Sequence, residues 1–393
     1  MNKFEFHGVG RIVFGRGQFA RMGELAARLG RSALVVSNAG RQGDGGMVDR
    51  LAGLLSAAGV RMAFLGQAAE PQVADVERGL RAAREEKCDM VIGLGGGSAI
   101  DAAKAVAALL TNGGSPTDYM EVVGKGLKIT RPAAAWIAVP TTAGTGAEVT
   151  RNAVIGWAEK RFKASIRSEH LLARFVLVDA ELGVSVPRDV TAWAGMDAMC
   201  QLIESYTSLG ATPITDALAM RGIALAARSL RRAFVNGGDL DAREEMALAA
   251  LLSGMALANA GLGAAHGLAA PLGANFPVPH GAACAALLRG VLAANVAALR
   301  AWPGGEAALG RYAAIGRTLT GRTDLRDSEA IDAATEFTAA LARDLDIPAL
   351  GRFGLTEGCV REMVDLAGRS SSMRYNPVSL SPDALAEVLR EAL

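Results

Sequence analysis

The sequence predicts an α/β N-terminal domain with a mainly parallel sheet, followed by an all-α C-terminal domain. Three observations predict it. Short β-branched runs alternate with helical stretches up to about residue 184, a rhythm that gives parallel sheets covered by helices on both faces. Past residue 185 the strand signal stops and long Ala- and Leu-rich amphipathic stretches take over. The chain of 393 residues is also too long for one core of usual size. The boundary is therefore placed between domains 1–184 and 185–393.

In order, "SALVVSN" (32–38), "RMAFLG" (61–66), "CDMVIGLGG" (88–96), "AAWIAVPTT" (134–142) and "FVLVDAEL" (175–182) read as buried strands. Between them "GQFARMGELAARLG", "GGMVDRLAGLLSAAGV" and "VADVERGLRAAREEK" are apolar at helical spacing. "SVPRDVTAWAG" (185–195) marks the changeover, and residues 213–233, 242–260 and 328–345 read as long helices. Two stretches rich in Gly, Pro, His or Ser, "GLGAAHGLAAPLGANFPVPHGAA" and "SSSMRYNPVSLSP", read as irregular backbone that lines a site.

Composition excludes several classes. Hydrophobic residues make up 51% and charged residues 21%, with 47 glycines, which is a globular composition. Lys plus Arg number 41 against 40 Asp plus Glu, so charge gives no case for a nucleic acid or an anionic membrane as partner. The N-terminus "MNKFEFHGVGRIVFG" has no apolar signal region, and no uninterrupted apolar run reaches the roughly 18 residues of a membrane span. Cys88, Cys200, Cys284 and Cys359 form no CxxC pair, which suits a reducing cytoplasm.

"VIGLGGGSAIDAAKAVAALL" (91–110) is a strand, then Gly95, Gly96, Gly97 and Ser98, then a helix. Bare backbone N–H groups at a helix N-terminus form an anion site suited to a pyrophosphate, as in a dinucleotide-binding domain, although a plain Gly-rich turn after a strand explains the pattern too. The pattern is neither GxGxxG nor a P-loop. Asp101 falls in the first turn, favourable for the helix dipole. Thr141, Thr142 and Thr145, with Gly144 and Gly146, follow a buried strand at the sheet edge where open α/β sheets bind ligands. Asn38 ends the first strand where an acid often holds the ribose of NAD(H). Being uncharged, and with Arg41 nearby, it tolerates the 2′-phosphate of NADP(H), although a turn residue and a solvated Arg explain the pair equally well.

Asp197 and Gln201 stand four apart in "GMDAMCQLIES", a segment read as a helix opened by Asp197, and so share one face. His266 and His280 are fourteen apart, and the chain has only four histidines. A lone buried His is more often a core residue, but two with a facing Asp suit Zn(II) or Fe(II).

The stretches "GGGSAIDAAKA", "PTTAGTGAEVTRNAVI", "GMDAM…IESYTS", "HGLAAPLG", "PHGAACAALL" and "NPVSLSPDAL" occur in an order by which the chain resembles the iron-containing (group III) alcohol dehydrogenase family over nearly its whole length. The resemblance implies an NAD(P)-dependent oxidoreductase moving hydride between nicotinamide and a small alcohol/aldehyde or ketone pair, usually with Fe(II) or Zn(II), often as a homodimer. It implies that Gly95, Gly96, Gly97, Ser98, Asp101, Thr141, Thr142, Thr145, Asn152 and Lys163 contact the cofactor. It implies a metal held by an Asp, a His four later and two His fourteen apart. Asp197, His266 and His280 match this set, whereas Gln201 replaces one His and leaves at most a weak oxygen donor or a hydrogen-bonding group. Ala270 stands where the family often has a proton-relaying His, Ala147 where it has Ser, and Arg289 where it has Pro. Three protein ligands and an open position still suffice for catalytic zinc, and related glycerol dehydrogenases resemble the Asp, His, His arrangement.

Two other readings follow from the altered site. One is a metal-independent reductase resembling maleylacetate-type relatives, in which His266, His280 and Gln201 donate hydrogen bonds to substrate and Arg289 and Arg374 meet an acidic group. The other is a catalytically silent nucleotide-binding paralogue. Leu257, Leu262 and Phe276 are candidate apolar liners, explained equally well by core packing.

Overall fold

The computed structural model describes residues 3–38, 46–67 and 70–393. Arg41 lies outside the described residues. The chain forms two contact units. One comprises His7–Thr142 and Gly146–Ser185; the other comprises Val186–Leu393 with Ala143–Thr145 and the N-terminal stretch ending at Phe6. Ala143–Thr145 thus groups with the helices, where the sequence placed it with the sheet.

The sheet unit holds β1 (Ile12–Phe14), α1 (Met22–Ala27), β2 (Ser32–Ser37), α2 (Met47–Ala57), β3 (Arg61–Gly66), α3 (Val73–Glu85), β4 (Met90–Gly95), α4 (Gly97–Asn112), α5 (Pro116–Tyr119), β5 (Ala135–Pro140), β6 (Asn152–Trp157), β7 (Phe162–Arg167) and β8 (Phe175–Val178). Six strands form a parallel sheet in the order β1-β8-β5-β4-β2-β3. Strand alternation sends Ile92 and Leu94 into one core with Met22, Leu25, Leu51 and Leu55 of α1 and α2. Gly93, between them, faces the other way, where a Cβ would meet Ala103 of α4 at 2.9 Å. Helices therefore cover both faces, as the unbroken apolar strands require. Two features had no strand signal: short β1, and the β6–β7 antiparallel hairpin, whose residues alternate in burial.

The helical unit holds α6 (Arg188–Thr207), α7 (Pro213–Val235), α8 (Leu240–Ala260), α9 (Ala264–Asn275), α10 (His280–Ala301), α11 (Glu306–Thr320), α12 (Asp327–Asp344), α13 (Val360–Ala367) and α14 (Pro382–Glu391). Thr212 caps α7, with Pro213 in its first turn, and Asp239 caps α8. Two expectations are corrected here. α6 starts at Arg188, so Asp197 lies in mid-helix rather than opening it. The stretch around His266 and His280 is mostly helix, broken only at 261–263 and 276–279, because its alanines outweigh its glycines and Pro271 is accommodated inside α9. Among the described residues α10 is the one helix long and apolar enough to cross a membrane, and most of its apolar window is buried in the fold.

Candidate functional site

At the end of β4, Gly95 has φ +151°, and a Cβ there would lie 1.9 Å from Oδ1 of Asn38. Only glycine fits. That same oxygen accepts the Gly96 N–H at 3.1 Å, so Asn38 shapes the glycine loop from the end of β2. The first N–H groups of α4 have no partner within the helix and no side-chain cap, which leaves them as anion donors at the positive end of the dipole. Gly95 pairs in register with Pro140, so the loops after β4 and β5 leave the sheet side by side. Thr141 N–H donates to Gly95 O at 3.0 Å, and the Thr142 hydroxyl lies 3.3 Å from where a Gly96 Cβ would be.

Asp101 accepts the Val154 N–H at 3.1 Å through Oδ2. Its buried Oδ1 has no hydrogen-bond partner, and lies 3.7 Å from Nζ of Lys104. Lys104 donates to Ala147 O, Thr150 Oγ1 and Asn152 O. Burial pushes the Asp101 carboxyl up to about 6 and that of Glu148 up to about 7, and lowers the Lys104 ammonium to about 8. A dinucleotide fits this set: a side-chain-free cradle, an uncapped helix start and an orphaned carboxylate oxygen. The Asn152 amide reaches Ser165 Oγ at 3.5 Å, Lys163 forms an ion pair with Glu70, and Thr145 belongs to the helical unit.

In the helical unit, α6 presents Asp197, Gln201 and Glu204 at i, i+4 and i+7, one face of a buried helix. Buried carboxylates need partners. The Asp197 oxygens divide theirs. Oδ1 faces Nε2 of His266 at 3.2 Å and Nε2 of His280 at 3.8 Å, whereas Oδ2 accepts the Gln201 amide N–H at 3.2 Å. Gln201 Oε1 in turn accepts the Ser253 hydroxyl at 2.7 Å. This corrects the expectation of Gln201 as a weak metal donor: its oxygen is turned to Ser253, because a carboxylate beside it demands the N–H end. Glu204 Oε2 lies 2.6 Å from Nδ1 of His266, and Oε1 accepts the Ala265 N–H at 2.7 Å.

Burial alone would raise the Asp197 carboxyl, but the imidazoles of His280 and His266 outweigh it and hold it below the usual range. Burial likewise works against charge on His266, yet the Cys200 sulfur and the Glu204 and Asp197 carboxylates keep its basicity well above the usual histidine range. An electron-rich imidazole with Nδ1 engaged and Nε2 facing a carboxylate is prepared as a metal ligand. One ligand atom from each of Asp197, His266, His280 and Cys284 lies within 4.8 Å of all the others. Donor atoms around a tetrahedral zinc are about 3.3–3.6 Å apart, from its bond lengths. The donor set therefore fits a divalent ion.

Sequence reasoning passed over Glu204, Ser253 and Cys284. Spacing held a signal for two of them, since Glu204 is seven after Asp197 and Cys284 four after His280. Arg289 pairs with Glu391 at 2.9 Å on the exposed side of α10, and the Arg374 guanidinium lies over the Tyr375 ring.

Residues 10–180 match the family described as iron-containing alcohol dehydrogenase, and residues 191–393 match the C-terminal part of the Fe-containing alcohol dehydrogenase family. The chain is 34% identical to a choline dehydrogenase of Bacillus subtilis, over 98% of this chain and 94% of that protein. It is 36% identical to a 1,3-propanediol dehydrogenase of Klebsiella pneumoniae, over 96% of each. A crystal structure of a 1,3-propanediol oxidoreductase superposes over 100% of both chains with a TM-score of 0.92 at 34% identity. With both halves matched and the fold shared, the chain belongs to the iron-containing alcohol dehydrogenase family and is an oxidoreductase acting on alcohols.

Proposed function

We propose that the enzyme passes hydride between C4 of NAD(H) or NADP(H) and the carbonyl carbon of a small alcohol/aldehyde or ketone pair, at a divalent metal held by Asp197, His266 and His280. The convergence of Asp197 Oδ1 and the two Nε2 atoms carries this reading. Members of the family bind NAD(H) and a metal such as iron. An ion at this position supplies Lewis-acid polarisation of the substrate oxygen.

The protein's own groups set the geometry. Gln201 anchors the far oxygen of Asp197, and Glu204 fixes the His266 ring through Nδ1. The His280 side chain is 38% exposed while Asp197 and His266 are buried, so substrate reaches the centre from the His280 side. The glycine loop and the α4 N-terminus hold the pyrophosphate, with Asp101, Thr141 and Thr142 beside it. Asn38 brings no charge against a 2′-phosphate, so both nucleotides are accepted. In this reading the enzyme works as a homodimer in the cytoplasm.

His280→Ala tests the proposal. Turnover should fall at least ~100-fold, as for loss of a group stabilising a developing oxyanion, while NADH affinity stays within about twofold because its site is built from other residues. Unchanged turnover, or turnover that survives complete metal removal, overturns it.

A further inference from the structure

We propose that Cys284 is a metal ligand, so that the ion is held by Asp197, His266, His280 and Cys284, with the substrate oxygen as a fifth donor during turnover. The inference rests on the metal site proposed above and changes its donor set.

Helix geometry places Cys284 one turn after His280 on α10. Its Sγ lies 3.7 Å from Nε2 of His280 and shares the 4.8 Å group of candidate ligand atoms with Asp197 and His266. The side chain is fully buried. A structural cysteine in a core packs as a small hydrophobe; this one faces a carboxylate and two imidazoles. Gln201 cannot supply the missing fourth donor in this arrangement, since its N–H end is spent on Asp197 and its oxygen on Ser253.

Cys200 is the competing sulfur and is set apart by which ring nitrogen it meets. It lies 3.9 Å from Nδ1 of His266, and Nδ1 is already bound to Glu204 at 2.6 Å. Cys284 lies on the Nε2 side, where the two histidines and Asp197 Oδ1 converge. Donor chemistry points the same way: a thiolate is a strong ligand for a borderline-soft ion such as Zn(II), while Glu204 stays outside the donor set on Nδ1 of His266. On binding, Cys284 loses its S–H proton to solvent and forms one S–metal bond, with no change of oxidation state. One thiolate in the set favours Zn(II) over Fe(II).

The test loads the metal-stripped, tag-free full-length protein with Co(II). Wild type should bind one equivalent and show an intense near-ultraviolet thiolate-to-Co(II) charge-transfer band. Cys284→Ser should lose the band, and Cys200→Ser should keep it. Zn(II) affinity of Cys284→Ser should fall more than roughly 100-fold, beyond the range seen for outer-shell residues. X-ray absorption of the wild-type zinc protein should show one sulfur at about 2.3 Å, a reading that needs no variant to fold. Bound metal with no sulfur neighbour, or a band that survives Cys284→Ser and vanishes in Cys200→Ser, overturns the assignment and leaves the three-ligand site standing. No bound metal in wild type overturns the assignment and the metal reading together.

Discussion

Gln201 donates its amide N–H to Oδ2 of Asp197 at 3.2 Å, where the family resemblance implies a histidine ligand. In the proposed site this exchanges a bond to the ion for a bond to one of its proposed ligands. Gln201→Ala leaves a buried carboxylate oxygen without its donor, a loss of about 1–3 kcal/mol. Metal affinity should fall by roughly 10- to 100-fold, as for outer-shell partners elsewhere. Metal content after dialysis and urea unfolding of the stripped protein check the two numbers separately.

Glu204 acts on the opposite side of the centre through His266. Glu204→Gln keeps the shape but removes the charge that makes the imidazole electron-rich. Metal affinity should drop by about tenfold or more, and Glu204→Ala should be worse because the Ala265 N–H also loses its acceptor. Isothermal titration with Zn(II) ranks the variants. Equal affinity in all three would mean that Glu204 does not tune His266.

Gly95 has room for no side chain. Gly95→Ala drives a Cβ into Asn38 Oδ1 and strains a backbone at φ +151°. NADH affinity should fall at least about tenfold, on the order of 1.4 kcal/mol, while bound metal stays near wild type. Asn38→Ala removes the acceptor of the Gly96 N–H and should weaken NADH and NADPH alike, since the lost contact is to the loop. A selective loss of one nucleotide would show that Asn38 contacts the ribose directly.

Glu148 makes the sheet unit pH-sensitive. Burial raises its folded pKa from 4.5 to about 7. Its contribution to stability is fully present below about 4.5 and is lost as pH rises through 7. Asp101, raised to about 6, acts in the same direction at lower pH. Lys104, lowered to about 8, changes stability only in a more alkaline window. Denaturant unfolding of the sheet unit should therefore show stability falling between pH 5 and 7, by on the order of 2–3 kcal/mol. Glu148→Gln should lower the slope from about pH 4.5 upward, leaving only the Asp101 part below about pH 6 and almost none between pH 6 and 7. An unchanged slope between pH 6 and 7 would rule Glu148 out as its source.

The sheet was readable because β2, β4 and β5 are buried on both faces and so carry unbroken runs such as "ALVV" and "MVIGLG". The β6–β7 hairpin was not, because it mixes buried Ala153 and Ile155 with exposed Val154, and no tight Asn-Gly turn announces it. Asp197, His266 and His280 could be singled out because His is scarce in this chain. Glu204 was within reach, since a helix read from Asp197 already puts i+7 on its face, whereas Cys284 joins the face of His280 only because α10 starts at His280 where irregular backbone was expected. The link from Asn38 to Gly96 spans 58 residues and has no local signature at all.

The proposed donors come from α6, α9 and α10, whereas the glycine loop lies on β4 and α4. Metal preference and nucleotide preference are therefore written in separate inventories of side chains. A lineage can exchange a histidine for a glutamine, or recruit a cysteine, without rewriting the cradle for the dinucleotide. On this separation a substitution in one inventory leaves the other intact.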